Sequence, residues 1–169
     1  MPRIAIDQEN SYRKMYNIKD LIHNSPKGNE ILRTKMYVLG FDFYATLTTN
    51  DNPPKLDSED PYYSTVISGY SRKMSKINLH RGEECYKNTE NITHHLYYTE
   101  LDLIVSKDGN LKYSKDSETK AFISCKLPPL EVTHIGFGSY YFEEDVRLFF
   151  DCPIENTCLN FYCFARNEC

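Results

Sequence analysis

The segment HHLYYTELDLIVSKDGNLKYSK, His94 to Lys115, constrains the fold more than any other part of the chain. Apolar and polar residues alternate on the way in, Asp108-Gly109-Asn110 supplies a tight-turn signal, and a return run leads out, which is the pattern of a β-hairpin. Leu101, Leu103 and Val105 are expected to face a core and Asp102 and Ser106 to face away, with Ile104 on the outer face or beneath an N-terminal arm. A lone hairpin is marginal in water, so further strands must cover its apolar face.

The rest of the chain supplies them. ILRTKMYVLGFDFYATLTT, Ile31 to Thr49, reads as two consecutive strands with a bulge or bend at Gly40. The loop NDNPPKLDSEDP follows, where Pro53 and Pro54 exclude helix and central strand. YYSTVISGY and MSKINLH form a hairpin around the five-residue turn GYSRK, with Ser75, Ile77 and Leu79 on one face and Met74, Lys76 and Asn78 on the other. KAFISCKL and LEVTHIGFGSYYF, joined through Pro128 and Pro129, are two more strands, and DVRLFFDC is the last. Near the start, YRKMYNIKDLI fits a short helix or an edge strand; the edge strand is preferred, closed by a turn at Pro26 to Gly28.

Short strands separated by turn chemistry, without a long helix, describe an all-β fold, an antiparallel β-sandwich of jelly-roll-like character. Residues 1–30 are expected as an N-terminal arm packing on the sandwich, 31–150 as the sandwich, and 151–169 as a cysteine-rich, disulfide-rich C-terminal tail. A length of 169 residues suits one domain with its own core. Fourteen Tyr and nine Phe suit half-buried pleated surfaces.

The formal net charge of −4, with Lys and Arg scattered, gives no electrostatic footprint for nucleic acid. No apolar run reaches the roughly 18 residues of a membrane span. The opening MPRIAIDQEN has no apolar signal core, so on an extracellular reading any leader is expected to have been removed.

Six cysteines argue for that extracellular reading: Cys85, Cys125, Cys152, Cys158, Cys163 and Cys169, four of them within the last eighteen residues. The gaps in Cys152-x5-Cys158-x4-Cys163-x5-Cys169 exceed those of common zinc knuckles and hold no His, so disulfides are favoured over metal. Their pairing stays open, since six cysteines allow fifteen connectivities. Asn91-Ile92-Thr93 is an N-glycosylation acceptor that points the same way.

No catalytic constellation emerges. There is no G-x-S-x-G, and adjacent strand residues such as His94 and His95 would point to opposite faces, which keeps them from one metal. His80 and His134 stand alone, and the acidic runs Asp57 to Asp60 and Glu143 to Asp145 lack calcium-loop spacing, so solvated loop charge is expected. Gly136 and Gly138 lack the helix that a cofactor-binding glycine turn needs, and they are expected where strands approach closely or bulge. Candidate contact residues are therefore amphipathic: Tyr62, Tyr63, Tyr70, Tyr140 and Tyr141, with Arg72 in the exposed turn.

Four blocks in order resemble one family. DFYATL at Asp42 to Leu47, VISGYSRKMSKI at Val66 to Ile77, ELDLIVSKDGNLKYS and LPPLEVTHIGFGSYY are similar to the strand, hairpin, strand-turn-strand and closing segments of the farnesoic acid O-methyltransferase-like domain. The similarity runs from about Ile31 to Phe142; Ser68 stands where the family's first hairpin glycine would be, Tyr70 where its Trp would be, and the cysteine-rich tail lies outside the pattern. The resemblance implies a β-sandwich that serves as an accessory module in secreted or surface proteins.

The expected function is a secreted, non-enzymatic recognition or assembly module without a cofactor, whose partner is a protein or a glycan and whose self-association stays open. The alternatives are a methyltransferase using S-adenosylmethionine on a farnesoid acid of the juvenile hormone pathway, as the family name implies, and a carrier of a small apolar ligand between the sheets.

Overall fold

In the computed structural model, residues 4–5, 14–55, 59–139 and 146–152 are described. Among these residues the strands are β1 (Ile4–Ala5), β2 (Met15–Asn17), β3 (Glu30–Leu39), β4 (Phe43–Thr48), β5 (Tyr63–Ser68), β6 (Met74–Leu79), β7 (Glu84–Asn88), β8 (Thr99–Ser106), β9 (Asn110–Lys115), β10 (Ile123–Lys126), β11 (His134–Ser139) and β12 (Arg147–Cys152). They form two six-stranded sheets, ordered β1-β12-β3-β8-β9-β10 and β2-β11-β4-β5-β6-β7. Every pairing is antiparallel, so the fold is the expected antiparallel β-sandwich. No helix among the described residues is long and apolar enough to cross a membrane.

The period-2 pattern explains the core. Leu32, Met36 and Val38 of β3, Leu101, Leu103 and Val105 of β8, and Phe150 of β12 point from the first sheet into the interior. Phe43, Ala45 and Leu47 of β4, Tyr63 and Ile67 of β5, Ile77 of β6 and Phe137 of β11 meet them from the second. Between the sheets, the hydroxyls of Tyr113 on β9 and Thr65 on β5 share a hydrogen bond at 2.8 Å, which pairs two polar groups that the packing buries. Tyr63 is fully buried; its hydroxyl donates to Pro128 O at 2.7 Å and accepts from Leu130 N–H at 2.9 Å.

Several expectations are changed by long-range pairing. The bend at Gly40 does more than kink a strand: β3 and β4 belong to opposite sheets, and Gly40 to Asp42 carry the chain across the sandwich. The N-terminal segment keeps its expected edge strand, as β2, and adds β1 at the edge of the other sheet. Strand β7 has almost no apolar alternation; it pairs with β6 and its Cys85 is bonded to Cys125 of β10. That disulfide joins the last strand of one sheet to the last strand of the other and closes that side of the sandwich. The strand expected to start at His94 begins only at Thr99.

The outward face of the first sheet holds a compact charge network. Lys35 is 4% exposed and pairs with Glu100, which also accepts from Tyr37 Oη at 2.8 Å and Ser117 Oγ at 2.5 Å. Burial works to raise the Glu100 carboxyl, but hydrogen bonds from Lys35, Ser117 and Tyr37 outweigh it and hold the group below its ordinary value. Asp102, in register with Lys35, is pushed up, chiefly by burial. Ile104 is buried on the same outward face, opposite Arg33 and Lys112.

Candidate functional site: three loops at one end of the sandwich

Strands β3, β5 and β7 all finish at the same end, and the connections that follow them converge there: 40–42, 69–73 and 89–98. Backbone bonds tie the three together. Gly40 N–H donates to His94 O at 2.7 Å, Asp42 N–H to Ser68 O at 3.2 Å, and Thr89 N–H to Lys73 O at 2.9 Å.

The 69–73 turn is wound left-handed. Tyr70 (φ 53°, ψ 58°) and Ser71 (φ 59°, ψ 40°) follow Ser68 (φ 55°, ψ 37°), and Arg72 has φ 70°. Each such residue with a Cβ costs about 1 kcal/mol, and strain of this kind persists only where surrounding structure over-determines it. Gly69 itself does not supply the positive φ. It is required because a Cβ there would sit 2.6 Å from Val66 Cγ1 and 2.9 Å from Asp42 Oδ1.

Side chains from the three loops form one continuous stack. The Arg72 guanidinium lies 3.9 Å over the ring of Phe41. Phe41 meets His95 at 5.9 Å between ring centres, His95 lies nearly parallel to His94 at 4.9 Å, and His94 to Tyr97 at 4.1 Å. Phe41 is buried beneath, while Tyr70, Leu96 and Tyr97 project with 54%, 66% and 53% exposure. Leu96 N–H donates to His94 Nδ1 at 3.1 Å and fixes the loop tip against the stack. Arg and aromatic side chains around an exposed apolar tip are the composition of interface hot spots.

Of the residues singled out from sequence, Tyr70 and Arg72 belong to this end. Tyr62 and Tyr63 lie at the other end of β5, about 20 Å away for six extended residues. Tyr63 is a core residue, because its ring fills the interior and its hydroxyl is used at both Pro128 and Leu130. Tyr62 stacks on His80 at 4.4 Å and lines a shallow pocket with Thr48, Asn50, Pro54 and Asp60. Tyr140, Tyr141, the run Glu143 to Asp145, Cys158, Cys163, Cys169 and the side chain of Cys152 lie outside the described residues.

His94 and His95 are not on opposite faces. They occupy a loop, where the period-2 rule does not hold, and their rings stack. Among the described residues no group of three or more His, Cys, Asp or Glu side chains converges as a metal site. Asn91 is exposed on the same 89–98 loop, with Thr93 buried two residues on. Gly136 lies inside β11, where a Cβ would meet Met15 Sδ at 2.4 Å, a close strand approach of the kind expected. Of the residues at this end, Phe41, Leu96 and Tyr97 are missed from sequence and His94 and His95 are weighed there only as metal ligands; HHLYY carries a signal, an aromatic-rich run beside a polar loop, but it reads equally as the start of a strand.

The sequence model described as farnesoic acid O-methyltransferase matches residues 6–154, from before β2 to just past β12. No curated protein matches the sequence. Among solved structures, the PSpry domain of TRIM65 is similar at 9% identity and a TM-score of 0.50, covering 88% of this chain and 89% of that one. A native glycosidic hydrolase is similar at 10% identity and a TM-score of 0.46, covering 70% of this chain; the chain spans 61% of that protein's length. At 9% identity the likeness to the PSpry domain concerns the fold alone.

Proposed function

The chain belongs to the farnesoic acid O-methyltransferase family, and from that premise we propose that it acts as a non-enzymatic recognition module outside the cell, gripping a protein partner with the three-loop end of its sandwich. The observation that carries this reading is the stack from Arg72 through Phe41, His95 and His94 to Tyr97, with Tyr70, Leu96 and Tyr97 exposed around it. Loops fixed by a rigid scaffold are where recognition residues concentrate. The Cys85–Cys125 disulfide supports an oxidising compartment, and Asn91 is exposed as an acceptor would need to be.

Methyl transfer enters only through the family's name. The glycines closest to a cofactor turn, Gly136 and Gly138, sit mid-strand in β11, paired to β4 and, at Gly136, also to β2. The carrier reading finds the space between the sheets filled by Tyr63, Tyr113, Phe43, Phe150 and their neighbours.

The test is an array of extracellular proteins and glycans probed with the oxidised protein, with Tyr70→Ala and Tyr97→Ala as variants. Retention of a protein by the wild type, lost in both variants, is expected; retention of glycans alone replaces the partner class. Failure to retain anything, together with a monomer on gel filtration, overturns the proposal. A heat of binding with S-adenosylmethionine in calorimetry would restore the methyltransferase reading.

A further inference from the structure

Ser68 is the residue in which the three loops meet. It is fully buried, ends β5, and holds a left-handed conformation that an L residue avoids. Each of its polar groups is engaged. Its carbonyl accepts from Asp42 N–H of the first loop at 3.2 Å. Its hydroxyl oxygen accepts from Thr93 N–H of the 89–98 loop at 3.1 Å. Its own N–H reaches Ser75 Oγ at 3.4 Å, and Ser75 Oγ is bonded to Thr89 Oγ1, at the start of the same loop, at 2.7 Å.

Glycine would satisfy the backbone at position 68 better than serine does, since it takes φ near 55° without a Cβ penalty. What serine adds is the hydroxyl, and the hydroxyl's partner is the loop that carries His94, His95, Leu96 and Tyr97. We propose that Ser68 is a positioning residue for the three-loop face: its side chain sets the 89–98 loop against the 40–42 and 69–73 loops, and so registers His95, with His94 and Tyr97 behind it, onto Phe41 and Arg72. The proposal rests on the recognition reading above for its consequence, but its structural content stands apart from any partner. Ser68 touches no exposed surface and acts only through the loop it holds.

Two variants separate this role from a role in folding. Ser68→Gly removes the hydroxyl and relieves the left-handed strain; Ser68→Ala removes the hydroxyl and keeps the strain. Hydrogen exchange by mass spectrometry on the oxidised full chain is expected to show peptides spanning 89–98 exchanging about tenfold faster in both variants, the equivalent of one lost hydrogen bond. Strands β3, β5 and β8 should stay protected in Ser68→Gly, whose melting temperature should lie above that of Ser68→Ala.

Unchanged exchange over 89–98 in Ser68→Gly overturns the proposal. So does acceleration that is uniform over all strands in that variant, because Ser68 would then serve the fold as a whole. On the extracellular protein array, Ser68→Gly is expected to lose retention although every exposed residue of the face is intact. Retention that persists while the loop is released leaves the positioning role standing and removes the recognition reading of that loop.

Discussion

The guanidinium of Arg72, in the turn between β5 and β6, lies 3.9 Å over the ring of Phe41, in the crossover between β3 and β4. The two come from connections 31 positions apart in sequence, and nothing local brings them together. Their contact gives the three-loop end a cation seated on a buried ring, with His95 on that ring's flank.

That geometry separates binding from stability. An exposed cation–π contact contributes about 0.5–1 kcal/mol, so Arg72→Ala should shift urea unfolding by an amount of that order. Its effect on the array-identified partner should be larger, at least about fivefold in dissociation constant, as for an interface anchor. Equal, small effects on both would remove Arg72 from the contact surface.

The disulfide between Cys85 and Cys125 encloses a sequence separation of 40 residues and ties two outer strands. In the chain-entropy account, a loop of that length is worth about 4 kcal/mol. The Cys85→Ala/Cys125→Ala double variant should therefore lose about that much stability in urea unfolding, with β7 the first segment to lose exchange protection. A loss below about 1 kcal/mol would show that β6 holds β7 without the clip.

Glu100 and Asp102, two residues apart on β8, should respond oppositely to neutralisation. Burial would raise Glu100, yet its three donors leave its folded value lowered, so its stabilising contribution is present above its unfolded value, near 4.3, and disappears as pH falls through the lower folded value. Glu100→Gln should destabilise at neutral pH by about 2 kcal/mol, less than for a fully buried pair because the side chain keeps 16% exposure. Asp102 is raised, so its contribution has the reverse sign: it is present at low pH and is lost as pH rises through the folded value. Asp102→Asn should accordingly be neutral or stabilising at pH 7, and thermal unfolding from pH 3 to pH 8 checks both slopes.

Gly69→Ala places a methyl group against Val66 Cγ1 and Asp42 Oδ1 at distances no packed Cβ tolerates. Overpacking of this kind costs about 1–3 kcal/mol. Thermal melts should show the loss, and a Gly69→Ala protein as stable as the wild type would mean that the turn rearranges freely, contrary to the tie between Asp42 and Ser68.

Much of the strand inventory was legible because strand signals are local. Alternation over Thr99 to Ser106 put Leu101, Leu103 and Val105 in the core, and all three are fully buried. The GYSRK turn falls between β5 and β6 as its spacing requires. Strand β7 was not legible, since Glu84, Tyr86, Lys87 and Asn88 show no apolar face and the strand forms on the hydrogen-bonding edge of β6. Tyr63 was misplaced for a related reason: an amphipathic ring reads the same whether its hydroxyl meets water or, as here, Pro128 and Leu130.

The sequence by itself determined where most strands run, where the chain turns between them and which side of the alternating strands is apolar, because a period of two and the φ preferences of turn residues act over a few neighbours. Only the tertiary structure decided that β3 and β4 lie in different sheets, that Cys85 finds Cys125, and that Arg72, Phe41, His95, His94 and Tyr97 form one stack. Those are meetings between distant segments, fixed by burying two apolar faces against each other. Such a packing selects among many strand orders that the local signals leave equally allowed.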